Sequence, residues 1–189
     1  MRFLYFLAIL PPPLASREIH QLRLECAEKF KVYKALRPPV HITLYKPFHA
    51  EEDLEEKIID LLKTGTIELP SFTQHLENFG SFRKKVVYIN AQKSQELISL
   101  QSTVNSVIVS NQLDPKPDEQ TNPSFNPHIT IAYRDLQVND FPAVWNEYKE
   151  RVFRLSFPVE EFTLLKHQHG VWNPVFSFKL EGNLGTPSI

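Results

Sequence analysis

The chain has 189 residues, 42% of them hydrophobic and 23% charged, with 21 Lys and Arg against 22 Asp and Glu. That composition suits one globular domain, or two small lobes sharing a core, and excludes a disordered or collagen-like chain. A net charge of −1 argues against a clamp on long nucleic acid, which carries a basic surplus; the one basic run is Arg83-Lys84-Lys85, so a nucleic-acid substrate would be a short end or a small fragment.

Met1-Arg2 and the run FLYFLAIL, followed by Leu14-Ala15-Ser16, resemble a short signal peptide, but the basic region is one residue and Pro11-Pro12-Pro13 interrupts the segment. Residues 2–10 read instead as a buried strand, apolar on both faces. Ser16 is a plausible N-cap, and Ile19, Leu22, Cys26, Phe30 and Tyr33 recur at helical spacing to about Leu36. Cys26 is the single cysteine, so no intrachain disulfide or multi-cysteine zinc site can form, and its place on this apolar stripe reads as core. After Arg37-Pro38-Pro39, residues 40–48 alternate like a strand. Acidic residues 51–56 open a second helix that Gly65 stops. A strand with a bend at Pro70 runs from Ile67 to Phe79, and Gly80-Ser81 turns the chain into another, Lys85 to Asn90. A third helix spans about Ser94 to Gln112. Residues 114–127, with four prolines, form a connecting loop, and whether it acts as a lid is a question the sequence leaves open. It leads into a strand at 128–134. A helix at 140–152 and two strands, Arg154–His167 and Trp172–Leu180, follow, and 181–189 is a flexible tail. No run approaches the ~20 apolar residues of a membrane span.

The expected class is α+β: a bilobal, duplicated fold of two mainly antiparallel sheets flanked by helices around a central cleft. The duplication is visible in the residues. His41-Ile42-Thr43-Leu44 returns as His128-Ile129-Thr130-Ile131, an offset of 87 (128 − 41). Leu69-Pro70 matches Phe157-Pro158, Phe79-Gly80 matches His169-Gly170, and Val86-Val87-Tyr88 matches Val175-Phe176-Ser177, all at nearly the same offset. A duplicated unit packs about a pseudo-twofold axis, which turns the two histidines toward each other.

On a strand, residues i and i+2 share a face, so His41, Thr43 and Tyr45 lie together, as do His128, Thr130, Ala132 and Arg134. Two imidazoles on one cleft suit a general acid and a general base. Threonine hydroxyls and the Arg134 guanidinium suit the non-bridging oxygens of a phosphoryl group. In-line cleavage of a phosphodiester needs these parts and no metal. One His-x-Thr alone is weak; strands are rich in threonine, and many histidines only satisfy hydrogen bonds. Two at matching places in a repeat, each after a proline-containing lead-in, carry the argument.

These residues resemble the two-histidine (2H) phosphoesterase superfamily, and within it the bacterial 2′-5′ RNA ligase and cyclic phosphodiesterase group. The likeness covers nearly the whole chain, from FLYFLAILPPP through both motifs and the Phe79-Gly80 turn. It implies catalytic His41 and His128, phosphate-binding Thr43, Thr130 and Arg134, no cofactor and no metal. It implies a small cyclic-phosphate nucleotide or an RNA terminus as partner, with no DNA and no membrane, in a cytoplasmic monomer. The implied activity is cleavage of 2′,3′-cyclic phosphates or 2′-5′ linkages, with 2′-5′ ligation as the reverse. By analogy His128 is the base and His41 the acid. Ligase members often place an arginine five residues after the second histidine; here that position is Tyr133, and the arginine is Arg134. Tyr45, Phe48, Phe82 and Trp172 are the aromatic residues that could stack a base.

Two rival readings remain at this level. One is a non-catalytic RNA- or nucleotide-binding module of the same fold. The other is a metal-dependent hydrolase using several of the seven histidines, which predicts carboxylates at ligand spacing near His41 or His128; Asp135 and Asp140, nearest the second motif, lie past its working face. Separately, His167-x-His169 on one strand face could bind a metal, but a polar strand end leading to Gly170 is the simpler account. His20, His49 and His75 lack a motif and read as surface residues.

Overall fold

The computed structural model describes residues 1–117 and 125–182. Its elements are β1 (Arg2–Ile9), α1 (Pro13–Phe30), a 3-10 turn at Lys34–Leu36, β2 (Ile42–Glu51), a 3-10 turn at Glu52–Leu54, α2 (Glu55–Thr66), β3 (Phe72–Phe82), β4 (Val86–Ala91), α3 (Gln95–Ser110), β5 (His128–Ala132), α4 (Phe141–Tyr148), β6 (Arg154–Val159), β7 (Glu161–Gln168) and β8 (Val171–Lys179). Two four-stranded antiparallel sheets result, ordered β2-β1-β7-β8 and β5-β4-β3-β6. The α+β bilobal class holds.

The segment that resembles a leader is β1, paired on both sides, with β2 and β7. Its two apolar faces have different jobs. Tyr5, Leu7 and Ile9 join the main core, while Phe6 and Ala8 pack with Leu165 and Trp172 in a small separate cluster. No helix among the described residues is long and apolar enough to cross a membrane.

Several boundaries differ from the sequence reading. α1 begins at Pro13 rather than after Ser16, because proline fits the first turn of a helix, where its missing N–H costs nothing. It ends at Lys31 in a left-handed conformation. Ser94 caps α3 as expected, accepting from the Leu97 N–H at 3.1 Å. Gly65 lies inside α2; a Cβ there would meet Val107 at 2.7 Å, so its glycine is for close packing of α2 on α3. Gly80 is not a turn residue either. β3 runs on to Phe82, and Arg83 and Lys84, at φ 47° and 53°, make the turn. The strand read as Arg154–His167 is two strands in different sheets, β6 and β7, broken at Glu160. Residues 181 and 182, read as part of the tail, are tied down: Gly182 bridges Pro70 and donates its N–H to the Leu69 carbonyl at 3.0 Å. Residues 183–189, and residues 118–124 of the proline-rich loop with its lid question, lie outside the described part.

The internal repeat also needs re-reading. The sequence matches β4 to β8, but β4 is the direct neighbour of motif strand β5, whereas β8 is an edge. The element equivalent to β4 is β1: β1-α1-β2 and β4-α3-β5 are each strand, helix and antiparallel motif strand. The helices then cross over. α1 packs on β5 of the other sheet, and α3 packs on β2. This exchange brings the two edge strands β2 and β5 together at the seam.

Leu7, fully buried in β1, should be among the costliest residues to truncate. Leu7→Ala is expected to lose about 2–5 kcal/mol in urea unfolding through a lower midpoint, while Val152→Ala, at 72% exposure, should stay within about 0.5 kcal/mol.

Candidate active site

Both motif strands carry the same irregularity. In the β1–β2 register Ala8 pairs with Thr43 and Leu7 with Tyr45, so Leu44 is an extra residue; in the β4–β5 register Tyr88 pairs with Thr130 and Val87 with Ala132, so Ile131 is extra. Each bulge falls immediately after the His-x-Thr triplet. A bulge breaks the alternation of faces. Leu44 and Tyr45 therefore both enter the core, as do Ile131 and Ala132, while Thr43 and Thr130 stay on the cleft.

That cleft has a volume of about 420 Å³ and lies between the sheets. Its lining includes His41, Thr43, His128, Thr130, Arg134, Phe82 and Trp172, so seven of the nine sequence candidates meet there. Tyr45 and Phe48 do not. They are 5% and 2% exposed, pack edge to face with each other at 5.5 Å, and the Tyr45 hydroxyl donates to Asp114 at 3.0 Å. The bulge at Leu44 is what the alternation rule missed. Arg134 reaches the cleft by another route than the one expected. β5 stops at Ala132, and Arg134 has a left-handed φ of 64° in a tight turn where the Asp135 N–H bonds the Tyr133 carbonyl at 2.8 Å. Its guanidinium lies 4.9 Å from the Tyr133 ring centre, and both residues line the cleft.

Each imidazole is tethered in the same way. His41 Nδ1 lies 2.7 Å from the Pro39 carbonyl oxygen, and His128 Nδ1 lies 2.8 Å from that of Asn126. A carbonyl only accepts, so Nδ1 carries the proton and Nε2 is the free nitrogen on each ring. Phenylalanines then pack on the rings at matching geometry: Phe6 on His41 at 5.1 Å and 67°, Phe82 on His128 at 5.1 Å and 78°. Trp172 backs Phe6 at 4.5 Å, and Tyr88 stacks on Phe82 at 4.2 Å and touches His128 at 4.9 Å.

Burial holds both histidines neutral. It drives His41 down to about 4, helped by repulsion from the Arg23 guanidinium and from His128, against the Pro39 bond that favours the charged ring. Burial also lowers His128, opposed by the Asn126 bond. The two rings are thus close enough to repel when charged.

Sequence reasoning missed Phe6, Tyr88, Arg23, Lys34 and Arg37, all at or beside the cleft. Arg23 left a trace: it sits four residues after Ile19 on the apolar face of α1, where an arginine is out of place. His167 contacts Trp172 at 4.9 Å, while His169 takes a left-handed turn conformation, so the pair is a strand end. Among the described residues no three His, Cys, Asp or Glu side chains converge as metal ligands.

Two measurements test this geometry. A Cβ on Gly80 would sit 2.6 Å from the Tyr88 ring, so Gly80→Ala should push Tyr88 toward His128, cost about 1–3 kcal/mol and move the His128 imidazole NMR signals; unmoved signals would remove Tyr88 from the site. Unfolded histidines titrate near 6.5, so from there down to about 4 the unfolded chain binds more protons than the folded one. Stability should therefore rise with pH through that window and level off above it. In His41→Asn the rise should shrink, and an unchanged slope would show that His41 is not held neutral.

Over residues 10–171 the sequence matches the family described as the 2′-5′ RNA ligase superfamily. A provisionally named phosphoesterase of Bacillus cereus strain B4264 is 28% identical over 181 residues, which are 94% of this chain and 97% of that protein. A similarly named protein of Bacillus anthracis strain A0248 is 27% identical over the same length and the same shares. Escherichia coli LigT, solved in complex with 3′-AMP, has a TM-score of 0.67 and 25% identity, covering 95% of this chain and 99% of LigT. The protein TT0787 of Thermus thermophilus shares the fold at a TM-score of 0.65 and 22% identity, over 96% and 99% of the two chains. A match over so much of the chain, on a fold shared with LigT, places this protein in the 2′-5′ RNA ligase superfamily of two-histidine phosphoesterases.

Proposed function

We propose that the protein is a metal-independent phosphodiesterase that cleaves 2′,3′-cyclic phosphates or 2′-5′ linkages at RNA ends or in small nucleotides, with 2′-5′ ligation as the reverse reaction. The observation that carries this reading is the matched pair of tethered imidazoles, each offering Nε2 beside a threonine hydroxyl in one cation-lined cleft. The complex of LigT with 3′-AMP supports a nucleotide as the ligand class.

In the proposed hydrolysis, a water attacks phosphorus and gives its proton to one neutral imidazole. The P–O3′ bond breaks in line, and O3′ takes a proton from the other, protonated imidazole, leaving a 2′-phosphate. Thr43, Thr130 and Arg134 donate to the equatorial oxygens, where negative charge builds in the transition state. Phe82 and Trp172 provide faces for the base or sugar. Following the family analogy, His128 is read as the base and His41 as the acid; burial lowers the proton affinity of both rings. An anionic substrate raises the proton affinity of both rings and helps charge the acid.

Leaving-group chemistry separates the roles. Both His41→Ala and His128→Ala should lower kcat/KM on nucleoside 2′,3′-cyclic phosphates by about 10²–10⁴-fold. On a p-nitrophenyl phosphodiester, whose leaving group departs unprotonated, the variant lacking the acid, His41→Ala, should recover most of the rate and His128→Ala should not. The opposite pattern would make His128 the acid and His41 the base. Wild-type inactivity on cyclic and 2′-5′ substrates alike would overturn the phosphodiesterase reading.

A further inference from the structure

The cleft lining contains four cations, Arg23, Lys34, Arg37 and Arg134, and no carboxylate among the described residues. Four cations elsewhere have carboxylate partners: Lys29 with Glu147, Arg151 with Glu25, Arg154 with Glu77, and Lys166 with Glu52 and Glu55. None of the four cleft cations has such a partner among the described residues. In a chain of net charge −1, this is a marked concentration of positive charge.

Arg23 is the informative member. It is 2% exposed, on the buried face of α1. One Nη donates to the Pro38 carbonyl at 3.0 Å, and Nε has no partner. Burial lowers it only to about 10, so it stays charged at neutral pH. A buried guanidinium without a counter-charge is costly, and an anion entering the cleft would relieve that cost. Arg37 and Lys34 come from the same loop and 3-10 turn that Arg23 grips through Pro38. The carboxylate nearest this turn, Asp135, accepts the backbone N–H groups of Tyr33 and Lys34 at 2.7 and 2.9 Å, and so holds the turn in place instead of pairing the Lys34 ammonium. Arg23, Lys34 and Arg37 thus gather around one loop, which Asp135, the residue after Arg134, ties to the end of β5.

One scissile phosphate does not need four cations. It already has Thr43, Thr130 and Arg134 in the proposed reaction. We propose that Arg23, Lys34 and Arg37 form a second anion subsite that takes a further phosphate, carried on the 5′ oxygen of the nucleotide whose 2′,3′ phosphate lies between the histidines. The placing of the first phosphate rests on the phosphodiesterase reading. A cleft of about 420 Å³ has room for a whole nucleotide, since small-molecule sites run from about 300 to 1,000 Å³. The substrate class is then a nucleotide with phosphate at both ends of its ribose: an RNA terminus, where the 5′ group is the chain phosphodiester, or a free nucleotide with a 5′ pyrophosphate.

Binding tests this without requiring turnover. Calorimetry would compare a nucleoside 2′-monophosphate with the corresponding 2′,5′-bisphosphate in about 0.15 M salt, where long-range charge effects are screened. The 5′-phosphate should tighten Kd of the wild type by about tenfold. In Lys34→Gln/Arg37→Gln that advantage should fall to about threefold or less, while affinity for the 2′-monophosphate changes little. Arg23 is left in place because its bond to Pro38 also supports the loop. Equal Kd values for the two ligands on wild type would overturn the subsite, as would an advantage that survives in the double variant. A 2′-phosphorylated nucleotide with a 5′-diphosphate and an RNA dinucleotide, titrated alongside, separate the two sources by whichever binds tighter. A protein that shows the binding advantage yet hydrolyses no cyclic phosphate would keep the subsite and lose only the proposed reaction.

Discussion

The carbonyl oxygen two residues ahead of each histidine accepts a hydrogen bond from Nδ1–H, and this single bond sets tautomer, ring orientation and the nitrogen left for chemistry. It works because the lead-in is stiff. Pro38 and Pro39 fix their own φ angles before His41, and Pro127 restrains Asn126 before His128. A flexible lead-in would let the imidazole rotate and would trade one tautomer for the other. The prolines that look like strand breakers in the sequence are therefore part of how the rings are held.

The bulges do complementary work. A motif strand at a sheet edge has to keep His and Thr on the open face while anchoring itself in the core. Inserting Leu44 and Ile131 as extra residues sends two consecutive side chains inward just after each threonine. The strand is pinned at that point, and the His-x-Thr triplet ahead of it faces the seam. Aromatic rings then surround both imidazoles, so desolvation, more than any neighbouring charge, decides their protonation.

Periodicity and motif spacing made the fold class, the paired motifs and most element positions legible. Less legible was whatever depends on contacts far apart in sequence. Tyr45 obeys the i, i+2 rule on paper, and only the register with β1 reveals the bulge that buries it. Gly80 looks like a turn because glycines often are, but its role is set by the Tyr88 ring opposite. Residues 154–168 read as one strand because nothing at Glu160 signals a break; the change of sheet there is dictated by where β3 and β1 lie. Arg23 was visible as a charge on an apolar helix face, yet its meaning depended on Pro38 and His41, which α1 meets only in the fold. The repeat was real at the histidines and misaligned at its ends, because similar hairpins occupy different places in the two sheets.

The first sheet joins strands that lie far apart in the chain. Its strand β1 pairs with β7, Leu4 opposite His167, while the second sheet is built from the middle of the sequence with β6 added at its edge. Neither half of the duplication can therefore close its own sheet. During synthesis β1 and the first motif strand are made well before β7 and β8, so the first sheet is completed only after Glu161–Gln168 and Val171–Lys179 have followed. Pairing over such separations makes folding slow, and it leaves an apolar strand, FLYFLAI, exposed in the nascent chain for most of that time.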